Sequence, residues 1–257
     1  MHDPHPVPIA VQLYTLRDET AVDLPAVLAR VGAVGYAGVE FAGLQGCEPV
    51  RVSAALSDAG LRVASAHVGL GERDAFAAEL DVYQGLGADT VVVPFGPPDW
   101  FADSDALAHT AERINEANEI AAARGLALGY HNHYWELQQQ VDDRPSLVAL
   151  FDRVDPSVRA EVDIYWAQVG GVDPADLLRT LGARVTHLHV KDGPADDPSS
   201  AMVAVGHGTV DVGGVLAAAP SASWHIVELD RCDTDMFRAV EDSYSFLVGA
   251  GLSQGRA

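Results

Sequence analysis

The sequence has little lysine, little cysteine and few positive charges. Lys191 is the single lysine among 257 residues, and 16 basic residues stand against 37 acidic ones, which gives a formal net charge of −21. A surface of this sign repels nucleic-acid phosphates and anionic lipids, so we expect neither nucleic acid nor a membrane as a partner. The two cysteines, Cys47 and Cys232, lack CxxC spacing and indicate a reducing compartment.

Long apolar runs are also missing. No stretch approaches the roughly 20 apolar residues that cross a bilayer. Residues 1–6 lack the basic flank and apolar core of a secretory signal, so we expect them to form a short tail on a cytoplasmic protein. Apolar residues still make up 48% of the chain, enough for a large core. We therefore expect residues 1–257 to form one domain of the size usual for a (β/α) barrel.

Short β-branched runs alternate with longer Ala- and Leu-rich runs along the whole chain. Apolar residues at spacings of three and four predict amphipathic helices, and glycines follow several of them, where a left-handed residue ends a helix. The predicted helices include Leu24–Val34, Ala75–Leu86, Asp105–Arg124 and Pro174–Leu181. The predicted strands are Pro8–Tyr14, Gly38–Phe41, Arg62–His67, Thr90–Pro94, Ala127–His131, Arg159–Ile164, Val185–Val190 and Trp224–Leu229.

Eight strands, each followed by a helical run, predict an α/β fold of the closed (β/α)8 TIM-barrel type. The competing fold is an open doubly wound sheet, which often has a glycine-rich phosphate turn after its first strand. Residues 15–18 follow that strand here without GxGxxG or Walker spacing. The longest predicted loops, 96–103 and 193–204, both follow strands and would lie at the catalytic face of a barrel.

Polar side chains gather at the carboxyl ends of the predicted strands. Because parallel strands all end at one face of a barrel, we expect these groups to converge although they are distant in sequence. They are Glu40, His67, Tyr130, His131, Asn132, His133, Glu136, Asp163, His187, His189, Lys191, Asp192, Glu228 and Asp230.

Each of these residues alone has a structural explanation. His67 fits a hydrogen-bonded structural histidine, and Glu161 fits a carboxylate that is paired inside the barrel. Asp192 and Asp230 fit helix caps or loop carboxylates. The set as a whole is different, because several ionisable groups in one barrel mouth are costly to bury unless they are paired or bind a cation. Imidazoles and carboxylates without sulfur suit one divalent ion, Mn²⁺, Co²⁺, Mg²⁺ or Zn²⁺.

Four segments together resemble a known family. They are residues 129–137 (GYHNHYWEL), 162–166 (VDIYW), 187–192 (HLHVKD) and 227–230 (VELD). With them the chain resembles the sugar phosphate isomerase/epimerase superfamily of xylose isomerase-like barrels, which includes ketose 3-epimerases, inosose dehydratases and endonuclease IV. The resemblance runs from Val11 to Asp230 and implies a TIM barrel with a divalent metal at its mouth.

The resemblance also implies a ligand set. In this family the metal is held by a strand-5 Glu, a strand-6 Asp, a strand-7 His and a strand-8 Glu. The last three correspond to Asp163, His189 and Glu228. The usual strand-5 position falls on Gly129, which has no side chain to offer. The chain instead resembles a branch with the pattern YHNHxxE, in which we expect Glu136 to reach the metal, with His131 as the second candidate.

The leading hypothesis from the resemblance is a metal-dependent isomerase, epimerase or lyase that acts on a sugar, keto-sugar or cyclitol through an enediolate-type intermediate. Glu228 is expected to exchange a proton with the substrate, together with one of the strand-5 histidines, His131 or His133. The expected substrate contacts are hydrogen bonds from Glu40 and His67, an aromatic wall from Trp166 and charge stabilisation by Lys191.

Two other functions stay open. A lysine at a strand end is also compatible with a Schiff-base aldolase built on Lys191. A catalytically silent sugar-binding barrel or subunit is the third hypothesis, because one barrel fold hosts many functions. Endonuclease activity is disfavoured by the acidic charge and by Trp166, which stands where some relatives carry a histidine. The expected partner is a small-molecule sugar or cyclitol, with homo-oligomer formation left open, and the turn at residues 206–209 either contacts it or enters the next helix.

Overall fold

Eight parallel strands form a closed barrel in a computed structural model that describes residues 7–256. The expected tail at residues 1–6 lies outside the described residues. Each strand pairs with the next one in the chain, and β8 closes the barrel on β1. The strands are β1 (Ile9–Gln12), β2 (Gly38–Phe41), β3 (Arg62–His67), β4 (Thr90–Val93), β5 (Ala127–His131), β6 (Arg159–Asp163), β7 (Val185–Val190) and β8 (Trp224–Val227).

Helices follow the strands, and a large apolar core holds the two together. A short antiparallel ribbon pairs Gln140–Val141 with Arg144–Pro145. Within residues 7–256, no helix combines the length and apolarity needed to cross a bilayer. The predicted (β/α)8 TIM barrel is confirmed. The helices are α1 (Arg17–Val34), α2 (Pro49–Ala59), α3 (Arg73–Gly85), α4 (Ser104–Ala122), α5 (Trp135–Gln138), α6 (Ser146–Phe151), α7 (Ile164–Val169), α8 (Pro174–Leu181), α9 (Val212–Leu216) and α10 (Met236–Gly249).

Helix α1 consists of two parts that meet at Asp23. This residue has an extended conformation (φ −155°, ψ 87°), and its Oδ1 accepts a hydrogen bond from Ala26 N at 3.1 Å. Pro25 follows in the first turn of the second part, where its missing N–H breaks no helical hydrogen bond. The predicted helix start at Leu24 is therefore confirmed. The helix ends at Gly35, whose φ of 113° is readily adopted only by glycine.

The first and last strands are shorter than predicted. Strand β1 ends at Gln12, because residues Leu13–Leu16 form a 3-10 turn in which Tyr14 N donates to Gln12 Oε1 at 3.0 Å. Strand β8 ends at Val227, and beyond it Leu229 N donates to Thr15 Oγ1 at 3.1 Å. The Thr15 hydroxyl thus accepts the hydrogen bond that a backbone carbonyl of a neighbouring strand would otherwise accept. This bond joins the segment after β1 to the segment after β8.

The barrel interior has an apolar floor and a polar mouth. Side chains alternate along a strand, so residues two positions before the polar strand ends face the same interior one layer lower. The ladders shift register between Val39 and Glu40 and between Ala160 and Glu161. Such irregularities re-aim side chains, and both occur at interior carboxylates. The floor is a separate apolar cluster of Ala10, Ala37, Ala64, Trp224 and Ile226.

Candidate active site at the barrel mouth

A cavity of about 470 Å³ opens at the carboxyl ends of the strands. Its volume lies within the range of about 300–1,000 Å³ that is typical of small-molecule sites. It is lined by Tyr14, Ala42, His67, Pro94, Phe95, His131, His133, Trp135, Glu228 and Asp230. Four residues predicted for the site line this cavity, namely His67, His131, His133 and Glu228. The other six lie beneath or behind its surface, namely Glu40, Glu136, Asp163, Trp166, His189 and Lys191.

Four buried residues bring their ligand atoms together directly below the cavity. They are His131, Asp163, His189 and Glu228, and their nearest nitrogen or oxygen atoms all lie within 4.8 Å of one another. We call this group the upper cluster. Asp163 and His189 are register partners on β6 and β7, so the sheet itself places them side by side. The structure thus brings together three of the four predicted ligands, and the fourth member is His131.

Glu136, the expected fourth ligand, does not belong to the upper cluster. Its Oε1 accepts a hydrogen bond from the Tyr130 hydroxyl at 2.9 Å, and its Oε2 accepts one from His133 N at 3.0 Å. The reason is that Glu136 lies in the first turn of α5, where its carboxyl group turns back onto the preceding segment. Burial raises the pKa of Glu136 to about 8. Both oxygens are therefore engaged within the protein.

A second group of possible ligands lies deeper in the barrel and is centred on Glu161. We call it the lower cluster, and it consists of Glu161, His67, His131 and His189. Glu161 Oε2 is 2.7 Å from His67 Nε2, 3.1 Å from His131 Nδ1 and 3.2 Å from His189 Nε2. The two clusters share His131 and His189. The sequence predicts Glu161 only as a paired carboxylate; its spacing of two from Asp163, which puts both on one face of β6, was the available signal.

His189 stands between carboxylates on both sides of its ring. Its Nδ1 lies 2.7 Å from Glu228 Oε2, and its Nε2 lies 2.6 Å from Glu40 Oε1. Burial favours the neutral ring, but Glu161, Glu40 and Glu228 outweigh this effect and hold the pKa of His189 well above its usual value. The His189 ring therefore directs Nδ1 toward Glu228 at the cavity and Nε2 toward Glu40 below it.

Glu40 lies below the upper cluster and does not line the cavity. It is fully buried, and it accepts hydrogen bonds from Gln12 Nε2 at 2.5 Å and from the Ser65 hydroxyl. Together with the contact to His189, these bonds occupy both carboxylate oxygens. The expectation that Glu40 binds a substrate hydroxyl is not supported by this geometry, whereas His67 does reach the cavity surface.

The aromatic wall of the cavity is Trp135 rather than Trp166. Trp166 is only 4% exposed, and its ring lies behind His133, with the ring centres 6.2 Å apart. Trp135 lines the cavity, stacks on His133 with the ring centres 4.4 Å apart, and donates from Nε1 to Gly96 O at 2.9 Å. Trp166, the residue expected to form this wall, is therefore buried below the cavity surface. Helix α7 begins directly after β6 and directs this side chain into the protein.

Lys191 is buried among carboxylates. Its Nζ lies 2.7 Å from Asp230 Oδ2, 2.7 Å from Glu228 Oε2 and 2.9 Å from Asp163 Oδ2. Burial alone would lower the pKa of Lys191, but the three carboxylates hold it well above the usual value. An amine must be unprotonated to attack a carbonyl carbon. The site therefore disfavours the Schiff-base aldolase hypothesis.

The buried charges of the site leave an excess of acid. Four buried carboxylates and the partly exposed Asp230 face one ammonium group and three imidazoles. The four buried ones are Glu40, Glu161, Asp163 and Glu228. Glu161 Oε1 is buried and accepts no hydrogen bond, and Asp163 Oδ2 has the Lys191 ammonium as its charged neighbour, at 2.9 Å. Burial raises the pKa of Asp163 to about 6, and burial together with Glu40 raises that of Glu161 to about 7. A divalent cation fits this excess of carboxylate oxygens and the imidazoles beside them.

Asp192 organises the loop that follows β7. Its buried carboxylate accepts hydrogen bonds from four backbone N–H groups, those of Gly193, Gly206, Gly208 and Val210. The turn at residues 206–209 is held in this way against the strand end and leads toward α9, which begins at Val212. His207 does not line the cavity. Of the two alternatives for this turn, the structure supports the connection to the next helix.

Sequence comparison identifies relatives of the chain. Residues 28–230 match the family model of the xylose isomerase-like TIM barrel. Among curated proteins, the chain is 24% identical over 190 residues to the inosose dehydratase of Geobacillus kaustophilus (strain HTA426). This match covers 65% of the chain and 61% of the dehydratase, so the chain spans less than two thirds of the length of that relative.

Comparison with solved structures gives matches over almost the whole chain. A sugar phosphate isomerase/epimerase from Parabacteroides distasonis ATCC 8503 superimposes with a TM-score of 0.84 and 24% identity, covering 99% of this chain and 98% of that one. A 3-keto-D-glucoside 4-epimerase from E. coli superimposes with a TM-score of 0.70 and 18% identity, covering 95% and 99%. At these identities the matches establish a shared barrel fold.

Proposed function

The chain belongs to the xylose isomerase-like TIM-barrel family, and we propose that it is a metal-dependent isomerase, epimerase or lyase acting on a sugar, keto-sugar or cyclitol. The observation that carries this proposal is the upper cluster, a buried set of two imidazoles and two carboxylates under an open cavity. The names of the relatives, an inosose dehydratase and a 3-keto-D-glucoside 4-epimerase, support a polyhydroxylated carbonyl compound as the substrate class. The cytoplasmic location remains a prediction from the sequence.

The residues that would hold the metal are His131, Asp163, His189 and Glu228. This mixed nitrogen and oxygen set suits Mn²⁺, Co²⁺, Zn²⁺ or Mg²⁺. When bound there, such an ion would polarise a carbonyl group and the hydroxyl beside it. His131 replaces Glu136 in this assignment, because its Nε2 lies 3.9 Å from Asp163 Oδ2 while both oxygens of Glu136 are engaged elsewhere.

Two carboxylates below the upper cluster, Glu40 and Glu161, orient its histidines. A histidine that binds a metal through one nitrogen usually donates the proton on the other nitrogen to a carboxylate, which fixes the ring and its tautomer. Glu40 is placed to accept this proton from His189 Nε2, and Glu161 Oε2 lies close to His131 Nδ1. Glu40 and Glu161 therefore act as positioning residues in this proposal.

Two groups on the cavity surface are suited to move protons. Glu228 is held ionised, since Lys191 and His189 outweigh the effect of burial and lower its pKa. At neutral pH it therefore has no proton to donate, and its only available role in proton transfer is that of acceptor. His133 is neutral there, because burial lowers its pKa to about 3, so one of its ring nitrogens carries a proton and the other can accept one. They follow β8 and β5, with β6 and β7 between them, so each reaches the substrate from its own side.

This arrangement fits the proton transfers shared by the three reaction types. Removal of a proton beside a carbonyl leaves an enediolate, and the return of a proton to another atom, or to the other face of the same carbon, gives isomerisation or epimerisation. Loss of a neighbouring hydroxyl gives dehydration instead. Glu228 is the proposed base, and His133 the second proton carrier. His131, which the sequence offered as an alternative base, is assigned to the metal.

Metal content and turnover test the proposal together. The purified protein is stripped with a chelator, reconstituted with each of the four ions, and incubated in D₂O with a panel of keto-sugars and inososes. We expect about one ion per chain, deuterium incorporation beside the carbonyl by NMR, and loss of both on chelation. Asp163→Asn should abolish both, whereas the exposed Asp58→Asn should change neither. Ligand binding without turnover would instead support a silent sugar-binding barrel.

A further inference from the structure

Two aromatic rings stand exposed at the rim of the cavity. Tyr14 is 44% exposed and Phe95 is 52% exposed, and both line the same cavity as the upper cluster. Within residues 7–256, they are two of only four large apolar side chains in this exposed state. Tyr14 follows β1 and Phe95 follows β4, so the rings stand at the two ends of the rim above β2 and β3.

The cavity has a polar half and an apolar half. Above β3, β5 and β8 its surface is polar and includes His67, His131, His133, Glu228 and Asp230, and Trp135 adds an aromatic ring beside His133. Above β1, β2 and β4 its surface is formed by Tyr14, Ala42, Pro94 and Phe95. Ala42, which follows β2, contributes only a methyl group to this part of the surface. A single polyhydroxylated ring can form hydrogen bonds with the polar residues, whereas Ala42, Pro94 and Phe95 offer no hydrogen-bonding side chain. His67, which ends β3 between them, lies deeper, with 11% of its side chain exposed.

The Tyr14 ring is held in place although it is exposed. The Arg17 guanidinium lies over it, 4.5 Å from the ring centre. Arg17 also donates to Tyr14 O at 3.0 Å and to Asp230 O at 2.9 Å, so it ties the ring to the end of β8. An exposed ring that is fixed in advance loses little conformational entropy when another ring stacks on it.

The segment that carries Phe95 is held in a similar way. The next residue, Gly96, donates from its backbone N–H to the Tyr130 hydroxyl at 2.9 Å and accepts from Trp135 Nε1 at 2.9 Å. The Phe95 ring itself meets His133 edge to face, with the ring centres 6.3 Å apart. Both exposed rings are thus preorganised surfaces for contact with the flat face of a ligand.

The charge of the apolar half defines the ligand further. Within residues 7–256, no lysine or arginine side chain lines the cavity. Arg17 is engaged with backbone carbonyl oxygens, and Lys191 is buried among three carboxylates. A phosphate or carboxylate group would therefore find no counter-ion here, in a chain whose formal net charge is already −21.

We propose that the apolar half, formed by Tyr14, Ala42, Pro94 and Phe95, is a second subsite that binds a neutral ring linked to the reacting sugar. The substrate is then a glycoside, with its reacting sugar in the polar half and its second ring, a sugar or an aromatic group, between Tyr14 and Phe95. This inference rests on the proposed function only in placing a sugar at the upper cluster. Its test therefore measures binding and not turnover.

Paired glycosides test the second subsite. Isothermal titration of the full chain in MnCl₂ compares methyl with 4-nitrophenyl β-D-glucopyranoside, and the same pair in the galacto and manno configurations. We expect the nitrophenyl member of at least one pair to bind about tenfold more tightly than the methyl member. Phe95→Ala and Tyr14→Ala should each reduce this ratio by about threefold or more, whereas Phe95→Trp and Tyr14→Phe, which keep a ring, should preserve it.

The control variant is Val50→Ala, which truncates a more exposed apolar side chain that does not line the cavity. It should leave the ratio unchanged. The proposal is wrong if no glycoside binds, if the ratio is near one in every configuration, or if the alanine variants leave it intact. It is also wrong if those variants dissociate an oligomer in sedimentation experiments while glycoside binding stays the same. Turnover of free keto-sugars without a glycoside preference would overturn this subsite and leave the proposed function standing.

Discussion

Lys191 Nζ lies 2.7 Å from Glu228 Oε2, inside the group of residues that we assign to a metal ion. The same ammonium lies 2.9 Å from Asp163 Oδ2. Two of the four proposed ligands are thus already paired with a protein cation. The lysine and a divalent ion are therefore expected to compete for the same carboxylates, and Asp230, at 2.7 Å, is the partner that remains for the lysine.

Replacing this lysine should strengthen metal binding and weaken the metal-free fold. The ammonium group of Lys191 repels a bound cation. Two unit charges 4 Å apart repel by about 4 kcal/mol at an effective dielectric constant of about 20. Relief of only about 1.4 kcal/mol of this repulsion lowers a Kd about tenfold. We expect Lys191→Met to lower the Kd for Mn²⁺ by about tenfold or more in calorimetry. The metal-free variant should melt at a lower temperature, since its carboxylates lose their counter-ion. Arg179→Met, at an exposed ion pair, is the control; weaker Mn²⁺ binding by Lys191→Met would contradict the assignment.

The identity of the fourth ligand can be decided by two matched substitutions. His131→Asn removes a nitrogen of the upper cluster, so we expect it to raise the Kd for Mn²⁺ by about 100-fold or more, beyond the effect usual for a residue that only supports a ligand. Glu136→Gln leaves the cluster untouched and should keep the Kd within about threefold of that of the unmodified protein. The reverse pattern would restore Glu136 as the ligand. Equilibrium dialysis with elemental analysis measures both.

Glu228 has two proposed roles, and Glu228→Gln separates them. The amide keeps one oxygen for the metal but cannot take up a proton, so binding should weaken moderately while turnover falls by about 100-fold to 10,000-fold. Excess Mn²⁺ should restore occupancy and not turnover. Deuterium exchange from solvent into the substrate should disappear as well. Glu112→Gln, on the exposed side of α4, is the matched control, and near-normal turnover of metal-saturated Glu228→Gln would assign proton transfer to the histidines.

Glu136 should make stability depend on pH. Burial raises its pKa to about 8 in the folded protein, whereas an unfolded glutamate titrates near about 4.3. The folded state therefore favours the protonated carboxyl group. Its contribution to the free energy of unfolding is full below about pH 4 and is lost as the pH rises through about 8. Between pH 5 and 8, the unmodified protein should lose stability relative to Glu136→Gln, which has no titrating group there. Urea unfolding at each pH measures the difference in unfolding free energy between the two proteins, and this difference cancels the titration of other groups. Two stability curves that stay parallel between pH 5 and 8 would contradict the prediction.

Much of the barrel could be predicted from local sequence. Strand β7 and helix α8 begin and end where the sequence predicts, because alternating and three-to-four apolar spacings reflect burial on one side of a single element. Asp163 and His189 were also predictable as site residues. Each ends a parallel strand, and the closure of a barrel brings all such ends to one face. These conclusions need only the periodicity of the chain and the rule that parallel strands share a direction.

What the sequence left open was decided by contacts between distant segments. Glu136 and His131 are both polar residues near the end of β5, and only the hydrogen bonds to Tyr130 and His133 show that Glu136 turns away from the upper cluster. The sequence predicts Glu161 as a paired carboxylate, and the structure agrees, but only the closed barrel shows that its partners are three imidazoles from β3, β5 and β7. Spacing along a strand determines which face a side chain occupies. Which partner meets it there depends on neighbouring strands, which only the closed barrel brings into contact.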